Sequence, residues 1–440
     1  MEACPEPPAG RQNRASALWL GCMGRGLTIL LGAWLACGAG QAATLSISCG
    51  AVGQELEVCR AGVAAWERRT GHKVRLVSTP NSSSERLALY QQLLAARAQD
   101  IDVFQIDVVW PGILAPHLLD LTPYAAGHID QHFASIVANN TVGGRLVAMP
   151  WFSDAPMLYY RADLLARHGL PPPATWRELT DSAQRIQDAE RAAGDARLWG
   201  YVWQGRAYEG LTCDALEWIA SHGGGTIVEA DGRISVDNPR AARALTLAAG
   251  WVGAISPRGV LNYAEEETRG VFQSGHAVFM RNWSYAWPLV NGEGSAVAGR
   301  VGVAPMPAGE DGISAATLGG WQLGVSRYSA HPDVAADLVL HLTGRAEQKR
   351  RAIAGAYNPT IPSLYTDPAV LRANPFYATL AQAFERSVPR PSAVTGQRYN
   401  RVSSAFQYAV HAVLSGRSDA NTALRSLERN LMRLSRGGQW

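Results

Sequence analysis

The sequence predicts an α/β protein in which helices cover a parallel sheet. Three observations carry this prediction: short apolar runs recur along the chain, stretches with helical spacing follow them, and 47% of the residues are hydrophobic against 18% charged. Strands that alternate with helices pair in parallel, because each helix returns the chain to the same edge of the sheet. The 440 residues are enough for about two or three domains.

The first elements alternate strictly between strand and helix. Strands are predicted at residues 45–49, 73–78 and 101–109, and helices at residues 52–69 and 84–98. Apolar residues in both helices recur at intervals of three and four, which places them on one face. Because ligands of such sheets bind at the carboxyl ends of strands, the turns after the first and third strands are candidate ligand sites.

The rest of the chain is predicted to be mostly helical. Leu424, Leu427, Leu431 and Leu434 form an apolar stripe at helical spacing near the C-terminus. Further helices are predicted at residues 177–193, 208–222, 239–252, 265–274 and 334–342, and extended stretches at residues 296–305 and 317–326.

Residues 1–43 are predicted to be an export signal. Arginines precede an apolar run at residues 27–37, and the small residues Ala42 and Ala43 follow, where we expect cleavage. Attachment of a lipid at Cys37 is the alternative. No later run reaches the roughly 18 apolar residues that span a bilayer. We therefore expect an exported protein of the periplasm.

Three cysteines remain after cleavage. Cys49 ends a predicted strand and Cys59 lies in the helix that follows, so a disulfide between them would join the first strand to the first helix in an oxidising compartment. Two buried free thiols are the alternative. Cys213 is expected to be a buried thiol, because no histidine lies near it in sequence to support a nucleophile.

Three segments place an aromatic residue beside glycine or small polar residues: residues 151–154, 281–285 and 319–321. A flat ring covers the apolar C–H face of a sugar, while carboxylates and guanidinium groups bind its hydroxyls. Sugar stacking is therefore predicted for Trp283 and Trp321. For Trp151, sugar stacking and core packing are equally open.

Asp107 and Asp154 are the carboxylates of interest in these segments. They fit sugar binding, but two carboxylates that flank a sugar also suit a glycosidase, and Asp154 suits the cap of a helix or turn. The net charge of +3, with scattered basic residues, gives no indication of a nucleic-acid partner. No metal or cofactor is expected.

Taken together in chain order, five segments resemble family 1 extracellular solute-binding proteins of ABC importers, and most closely the branch that binds trehalose or maltose. The segments are residues 85–90, 106–112, 151–161, 272–280 and 318–321. The resemblance implies a two-lobed periplasmic-binding-protein fold with a hinge and with parallel-type sheets flanked by helices in each lobe. The first lobe would comprise residues 44–153 and about 319–358, and the second residues 154–318 and about 359–440.

The resemblance also implies which residues contact the ligand. Gln54 is an alternative to Glu55 as the first contact, and Arg398 is an alternative to Arg390 as the last. Phe152 stands where the family often has a tyrosine, so that one hydroxyl contact is missing. The implied contacts are Glu55, Arg86, Asp107, Phe152, Asp154, Trp283, Tyr285, Gly320, Trp321 and Arg390.

The implied function is transport without catalysis. A monomer would capture an α-linked disaccharide of the trehalose or maltose type and deliver it to two permease subunits and their ATPase. A binder of another solute, such as an oligosaccharide or a sugar phosphate ester, is the first alternative. A secreted glycosidase that uses Asp107 and Asp154 is the second.

Overall fold

The structure is a computed structural model that describes residues 42–50, 52–310, 312, 314–377, 380, 383–384 and 386–440. The predicted leader and the alternative lipid site at Cys37 lie outside these residues, apart from Ala42 and Ala43. Within the described residues, no helix combines the length and the apolar character that crossing a membrane requires.

Strands lie within or close to all five predicted extended stretches, but the strands between residues 141 and 161 and those at residues 199–202, 277–282 and 387–388 were not predicted. In chain order they are β1 Thr44–Ser48, β2 Lys73–Val77, β3 Val103–Asp107, β4 Thr141–Val142, β5 Arg145–Leu146, β6 Met149–Asp154, β7 Met157–Arg161, β8 Trp199–Val202, β9 Ala277–Asn282, β10 Val301–Ala304, β11 Ala316–Thr317, β12 Gly319–Val325 and β13 Ser387–Val388.

The helices include all those predicted from apolar spacing. In chain order the α-helices are α1 Glu55–Thr70, α2 Ser83–Ala95, α3 Pro111–Leu114, α4 Ala134–Asn139, α5 Ala162–Arg167, α6 Trp176–Ala192, α7 Glu209–Ser221, α8 Pro239–Trp251, α9 Glu265–Gln273, α10 Ala286–Val290, α11 Pro332–Thr343, α12 Arg345–Gly355, α13 Pro368–Ala373, α14 Ser392–Thr395, α15 Tyr399–Leu414 and α16 Ala420–Leu434. Short 3-10 turns cover Ala115–His117, Ile129–Gln131, Arg258–Asn262, Pro362–Thr366 and Gly396–Arg398.

The first sheet has five strands in the order β2-β1-β3-β12-β6. The first three strands pair in parallel, as predicted. Strand β12 is antiparallel to both of its neighbours, β3 and β6. Its register sets Trp321 opposite Asp107 on one side and opposite Phe152 on the other. Candidate ligand residues from three strands therefore meet at one end of this sheet.

The second sheet has four strands in the order β10-β7-β9-β8, with β8 parallel to β9 and the other pairs antiparallel. The prediction of a parallel-type sheet is therefore wrong for this lobe except at the β8–β9 pair. Helices α1, α11 and α12 pack around the first sheet, and α6, α7, α8, α15 and α16 around the second. Each sheet has a buried apolar core of its own. The predicted two-lobed α/β fold is thereby confirmed, while the predicted residue boundaries of the lobes stay a prediction.

A disulfide joins Cys49, just after β1, to Cys59 within α1, and the two Cα atoms are 6.4 Å apart. Both residues are buried in the core of the first lobe. Cys213 is a buried free thiol whose pKa is raised by that burial. The bridge therefore fixes α1, whose first residue is Glu55, to the strand that precedes it.

Replacing both bridged cysteines in the variant Cys49→Ala/Cys59→Ala should lower the free energy of unfolding by about 2–4 kcal/mol, because the unfolded chain regains loop entropy. Urea unfolding followed by circular dichroism measures the change. Dithiothreitol should lower the stability of the wild type to that of the variant and leave the variant unchanged. Equal stability of the oxidised wild type and the variant would contradict a stabilising bridge.

Candidate functional site

A cavity lies where β3, β6 and β12 of the first lobe face α7 and the segment after β9 in the second. The space between its walls is about 690 Å³ when the open mouth is included. Its lining is Val52, Glu55, Asn81, Ser83, Arg86, Asp107, Phe152, Asp154, Glu209, Gly210, Cys213, Glu265, Trp283, Tyr285, Gly319, Gly320, Trp321, Tyr357 and Arg390.

All ten residues that the sequence nominated as ligand contacts lie in this lining. The two alternatives lie elsewhere. Gln54 is exposed just before α1, and Arg398 donates a hydrogen bond to the carbonyl of Gln439 at 2.6 Å. The structure thus places Glu55 and Arg390, and not the alternatives, on the wall of the cavity.

Arg390 joins the two sides of the cavity. Its Nη2 donates to Oδ1 of Asp107 at 2.9 Å, and its Nη1 donates to Oε1 of Glu209 at 2.8 Å. Burial opposes the charge of Arg390, but its acidic neighbours, Asp107 first, raise its pKa well above the ordinary value. Glu209 also accepts hydrogen bonds from Ser403 at 2.6 Å and from Tyr399. Asp107 belongs to β3 and Glu209 to α7, so this ionic triad crosses from one lobe to the other.

Two further contacts cross at the rim beside the triad. The backbone N–H of Glu209 donates to the hydroxyl of Ser84 at 3.1 Å. Arg206, shortly before α7, forms an ion pair with Glu85 of α2. The N-terminal ends of α2 and α7 therefore touch across the mouth of the cavity.

Asp154 ends β6 on the floor of the cavity. Its Oδ1 accepts hydrogen bonds from the hydroxyl of Ser284 at 3.2 Å and from the amide of Asn358 at 3.3 Å. Burial raises the pKa of Asp154 to about 7, and the bonds from Ser284 and the charge of Arg281 only partly offset this rise. The carboxyl group therefore changes its charge near neutral pH.

Trp283 lies in the cavity wall with a half-buried ring, and an arginine packs against that ring. The guanidinium of Arg281 lies 4.1 Å from the centre of the ring. Arg281 is itself held by Asp214 at 2.9 Å and by Glu217 at 2.6 Å, all three side chains being buried. The ring thus rests on a cation that a buried ionic network holds in place.

Trp321 is the second half-buried tryptophan of the wall. The guanidinium of Arg86 lies 4.6 Å from its ring centre, and the ring of Trp110 meets it edge-on at 5.5 Å. The Nε atom of Arg86 donates to the carbonyl of Pro80 at 3.1 Å. Its Nη1 atom is buried and has no hydrogen-bond partner among the described residues, so a donor remains for a ligand.

Gly320 allows β12 to approach β6 beside Trp321. Its φ is +135°, and a Cβ atom there would lie 2.7 Å from the carbonyl oxygen of Phe152. At Gly319, a Cβ atom would meet the ring of Trp283 at 2.9 Å. Side chains are excluded at both positions, so the two glycines make room for the tryptophan ring and the strand contact.

Trp151 lies behind the wall and not in it. It is fully buried in the core of the first lobe, and the guanidinium of Arg351 lies 3.7 Å from its ring centre. Core packing is therefore the alternative that the structure supports for this residue.

Five lining residues with polar side chains were not anticipated as ligand contacts: Asn81, Ser83, Glu209, Glu265 and Tyr357. Glu209 and Glu265 are the first residues of α7 and α9, where an acidic residue is common because of the helix dipole. Tyr357 follows the last turn of α12. Nothing in local spacing separates these residues from ordinary helix ends. Burial of both acids raises their pKa values.

The chemistry of the wall is that of a binding site for a hydroxylated molecule, with aromatic faces, carboxylates and guanidinium donors. Within the described part of the chain, no group of three or more His, Cys, Asp or Glu side chains is placed to hold a metal ion.

Comparison with known sequences agrees with this geometry. Residues 54–349 match the model of the family described as bacterial extracellular solute-binding protein. A probable ABC transporter-binding protein of Deinococcus radiodurans is 52% identical over 417 residues, which cover 94% of this chain and 98% of that protein.

Solved structures give the same fold. Maltose-bound MalE3 of T. maritima is 39% identical, with a TM-score of 0.85 over 89% of this chain and 100% of that one. A Thermotoga lettingae ABC transporter solute-binding protein, bound with α-D-tagatose, has a TM-score of 0.80 over 89% of this chain and 100% of that one. Its identity of 22% supports the fold alone. The family match and these likenesses show that the chain belongs to the bacterial extracellular solute-binding proteins.

Proposed function

We propose that this protein is the exported sugar-binding component of an ABC importer. It captures a neutral α-linked disaccharide of the maltose or trehalose type between its lobes and delivers it to the permease subunits and their ATPase. The ligand contacts are Glu55, Arg86, Asp107, Phe152, Asp154, Trp283, Tyr285, Gly320, Trp321 and Arg390, all of which line the cavity.

The main support for a neutral ligand is the excess of acidic over basic side chains in the cavity lining. Five acidic residues line the cavity, namely Glu55, Asp107, Asp154, Glu209 and Glu265. Arginines Arg86 and Arg390 are the basic residues of that lining, and Arg390 is already bound by two carboxylates. A wall rich in acceptors favours a ligand that donates hydrogen bonds and repels one that carries a phosphate or carboxylate.

The aromatic groups favour a pyranose. Trp283 and Trp321 offer half-buried rings, and Phe152 adds a third apolar surface. Such faces cover the C–H surfaces of a sugar ring while polar groups at its edge bind the hydroxyls. MalE3, which shares 39% identity and nearly its whole length with this chain, is bound to maltose. Maltose is therefore the first sugar to test.

Among the alternatives, an anionic solute is the one the charges argue against. Some relatives bind sn-glycerol 3-phosphate, but the sequence match to one of them, from Yersinia enterocolitica, covers 14% of this chain. A glycosidase acting through Asp107 and Asp154 is disfavoured because Asp107 is tied to Arg390 and the family is one of binding proteins.

A thermal-shift screen of the mature protein tests the proposal. The panel is maltose, trehalose, sucrose, maltotriose, mannitol and sn-glycerol 3-phosphate. A ligand that binds only the folded state raises the melting temperature with its concentration. We expect a rise of several degrees with maltose or trehalose and none with the phosphate. A rise with the phosphate alone would contradict the proposal.

Trp321→Ala should weaken binding of the stabilising sugar by about ten-fold, or about 1.4 kcal/mol, because a stacking face is lost. The matched control is Trp199→Ala. Trp199 is also half-buried and has the guanidinium of Arg191 at 4.2 Å, but it lies outside the cavity. Isothermal titration calorimetry should find wild-type affinity in the control. Equal loss in both variants would remove Trp321 from the site.

Acidification should weaken sugar binding. The pKa of Asp154 is raised by burial to about 7, so its carboxyl takes up a proton as the pH falls from 8 to 6. An ionised carboxylate accepts stronger hydrogen bonds from a ligand than the neutral acid does. Calorimetric titrations should show several-fold weaker binding at pH 6.

The variant Asp154→Asn isolates this group from Glu209 and Glu265, whose pKa values are also raised by burial. It should bind weakly and with little change between pH 8 and pH 6. Wild-type affinity that is constant over this range would show that Asp154 does not bind the sugar in its ionised form.

A further inference from the structure

Tyr357 belongs to the cavity wall, and its hydroxyl has no hydrogen-bond partner among the described residues. The residue is 3% exposed. A buried hydroxyl without a partner costs free energy, so such groups are rare in native proteins unless something outside the chain completes them. Burial also raises the pKa of Tyr357 well above its usual value, which keeps the O–H available as a donor.

The two residues before Tyr357 leave room for its ring. Helix α12 ends at Gly355, and Ala356 adopts the left-handed conformation with φ 55°, which a residue with a side chain adopts only at a cost of about 1 kcal/mol or more. A Cβ atom on Gly355 would lie 2.4 Å from the Tyr357 ring. A side chain at position 355 would therefore collide with the ring of Tyr357.

The same segment is tied to the floor of the cavity on both sides of Tyr357. The carbonyl of Ala356 accepts a hydrogen bond from the hydroxyl of Ser284 at 2.8 Å. The carbonyl of Asn358 accepts one from the backbone N–H of Ser153 at 3.0 Å. Asp154 accepts a hydrogen bond from the Asn358 amide at 3.3 Å. The backbone on both sides of Tyr357 is thus anchored to residues beside Asp154.

Two neighbours fix the ring itself. The Phe152 ring meets it at a centre-to-centre distance of 5.0 Å, and the buried guanidinium of Arg351 lies 4.7 Å from its centre. The guanidinium nitrogens of Arg351 have no hydrogen-bond partner among the described residues, so the contacts of this group are with the rings of Trp151, Phe152 and Tyr357. A rigidly held ring keeps its hydroxyl in one place, which lowers the entropy lost on binding.

We propose that the Tyr357 hydroxyl is a specificity-determining ligand contact, which donates a hydrogen bond to a hydroxyl or ring oxygen of the bound sugar. The inference rests on the proposed function, because it assigns the partner of this group to the sugar in that cavity. A ligand that lacks an oxygen there leaves the tyrosine hydroxyl buried and unpaired, and is rejected for that reason.

The variant Tyr357→Phe tests this assignment, because it removes one oxygen atom and keeps the ring. We expect the dissociation constant for maltose or trehalose, whichever the wild type binds, to rise about ten-fold. The melting temperature without sugar should not fall, because the hydroxyl loses no partner within the protein. Titration calorimetry and thermal unfolding supply the two readings.

Tyr201→Phe is the matched control. Its hydroxyl is also buried and has no partner among the described residues, but Tyr201 lies in the core of the second lobe, outside the cavity lining. The control should keep wild-type affinity. In the double variant Phe152→Tyr/Tyr357→Phe, the hydroxyl returns on the neighbouring ring, and part of the lost affinity should return with it.

Unchanged affinity in Tyr357→Phe would overturn the inference while leaving the proposed function intact. A melting temperature that falls together with the affinity would assign the hydroxyl to the fold and would also overturn it. Equal losses in Tyr357→Phe and Tyr201→Phe would have the same consequence. A wild-type protein that binds neither sugar would contradict the proposed function itself, so the two failures are distinguishable.

Discussion

The buried pairing of Arg390 with Asp107 and Glu209 is the interaction on which the arrangement of the site depends. Removing one partner from such a network leaves a buried charge uncompensated, which typically costs about 3–5 kcal/mol. The three residues come from separate parts of the chain, β3, the start of α7 and the segment after β13. Their pairing therefore links the two lobes across the cavity. The hydrogen bond from the backbone N–H of Glu209 to the hydroxyl of Ser84 is a second link next to it.

A second constraint recurs around the cavity, where arginine guanidinium groups support the aromatic wall. Arg281 lies on Trp283, Arg86 on Trp321 and Arg351 against three rings of the first lobe. Such contacts contribute about 0.5–2 kcal/mol each and hold a ring in a single orientation. Rings that are fixed before the ligand arrives lose little entropy on binding. Together the ionic triad and the supported rings give one binding surface whose polar groups have defined positions.

Much of this fold follows from the sequence, because local spacing reports which face of a helix is buried. The apolar intervals within α1 and α2 sufficed to place both helices between parallel strands. The antiparallel direction of β12 did not follow, since it depends on how the chain returns from the second lobe. Glu209 and Tyr357 were missed for a related reason: their positions in the wall depend on contacts with residues far away in sequence. Residue type alone could not distinguish Trp151, which packs in the core, from Trp283 and Trp321, whose half-buried rings line the cavity.

The central claim is that a neutral sugar occupies the cavity between the lobes. A crystal structure of the protein grown with the sugar that gives the largest thermal shift tests it most directly. The account predicts sugar rings against Trp283 and Trp321, with hydroxyls in hydrogen-bond distance of Asp154, Arg86 and Tyr357. A sugar bound at another surface, or a bound anion held by Arg390 in place of Asp107 and Glu209, would contradict it.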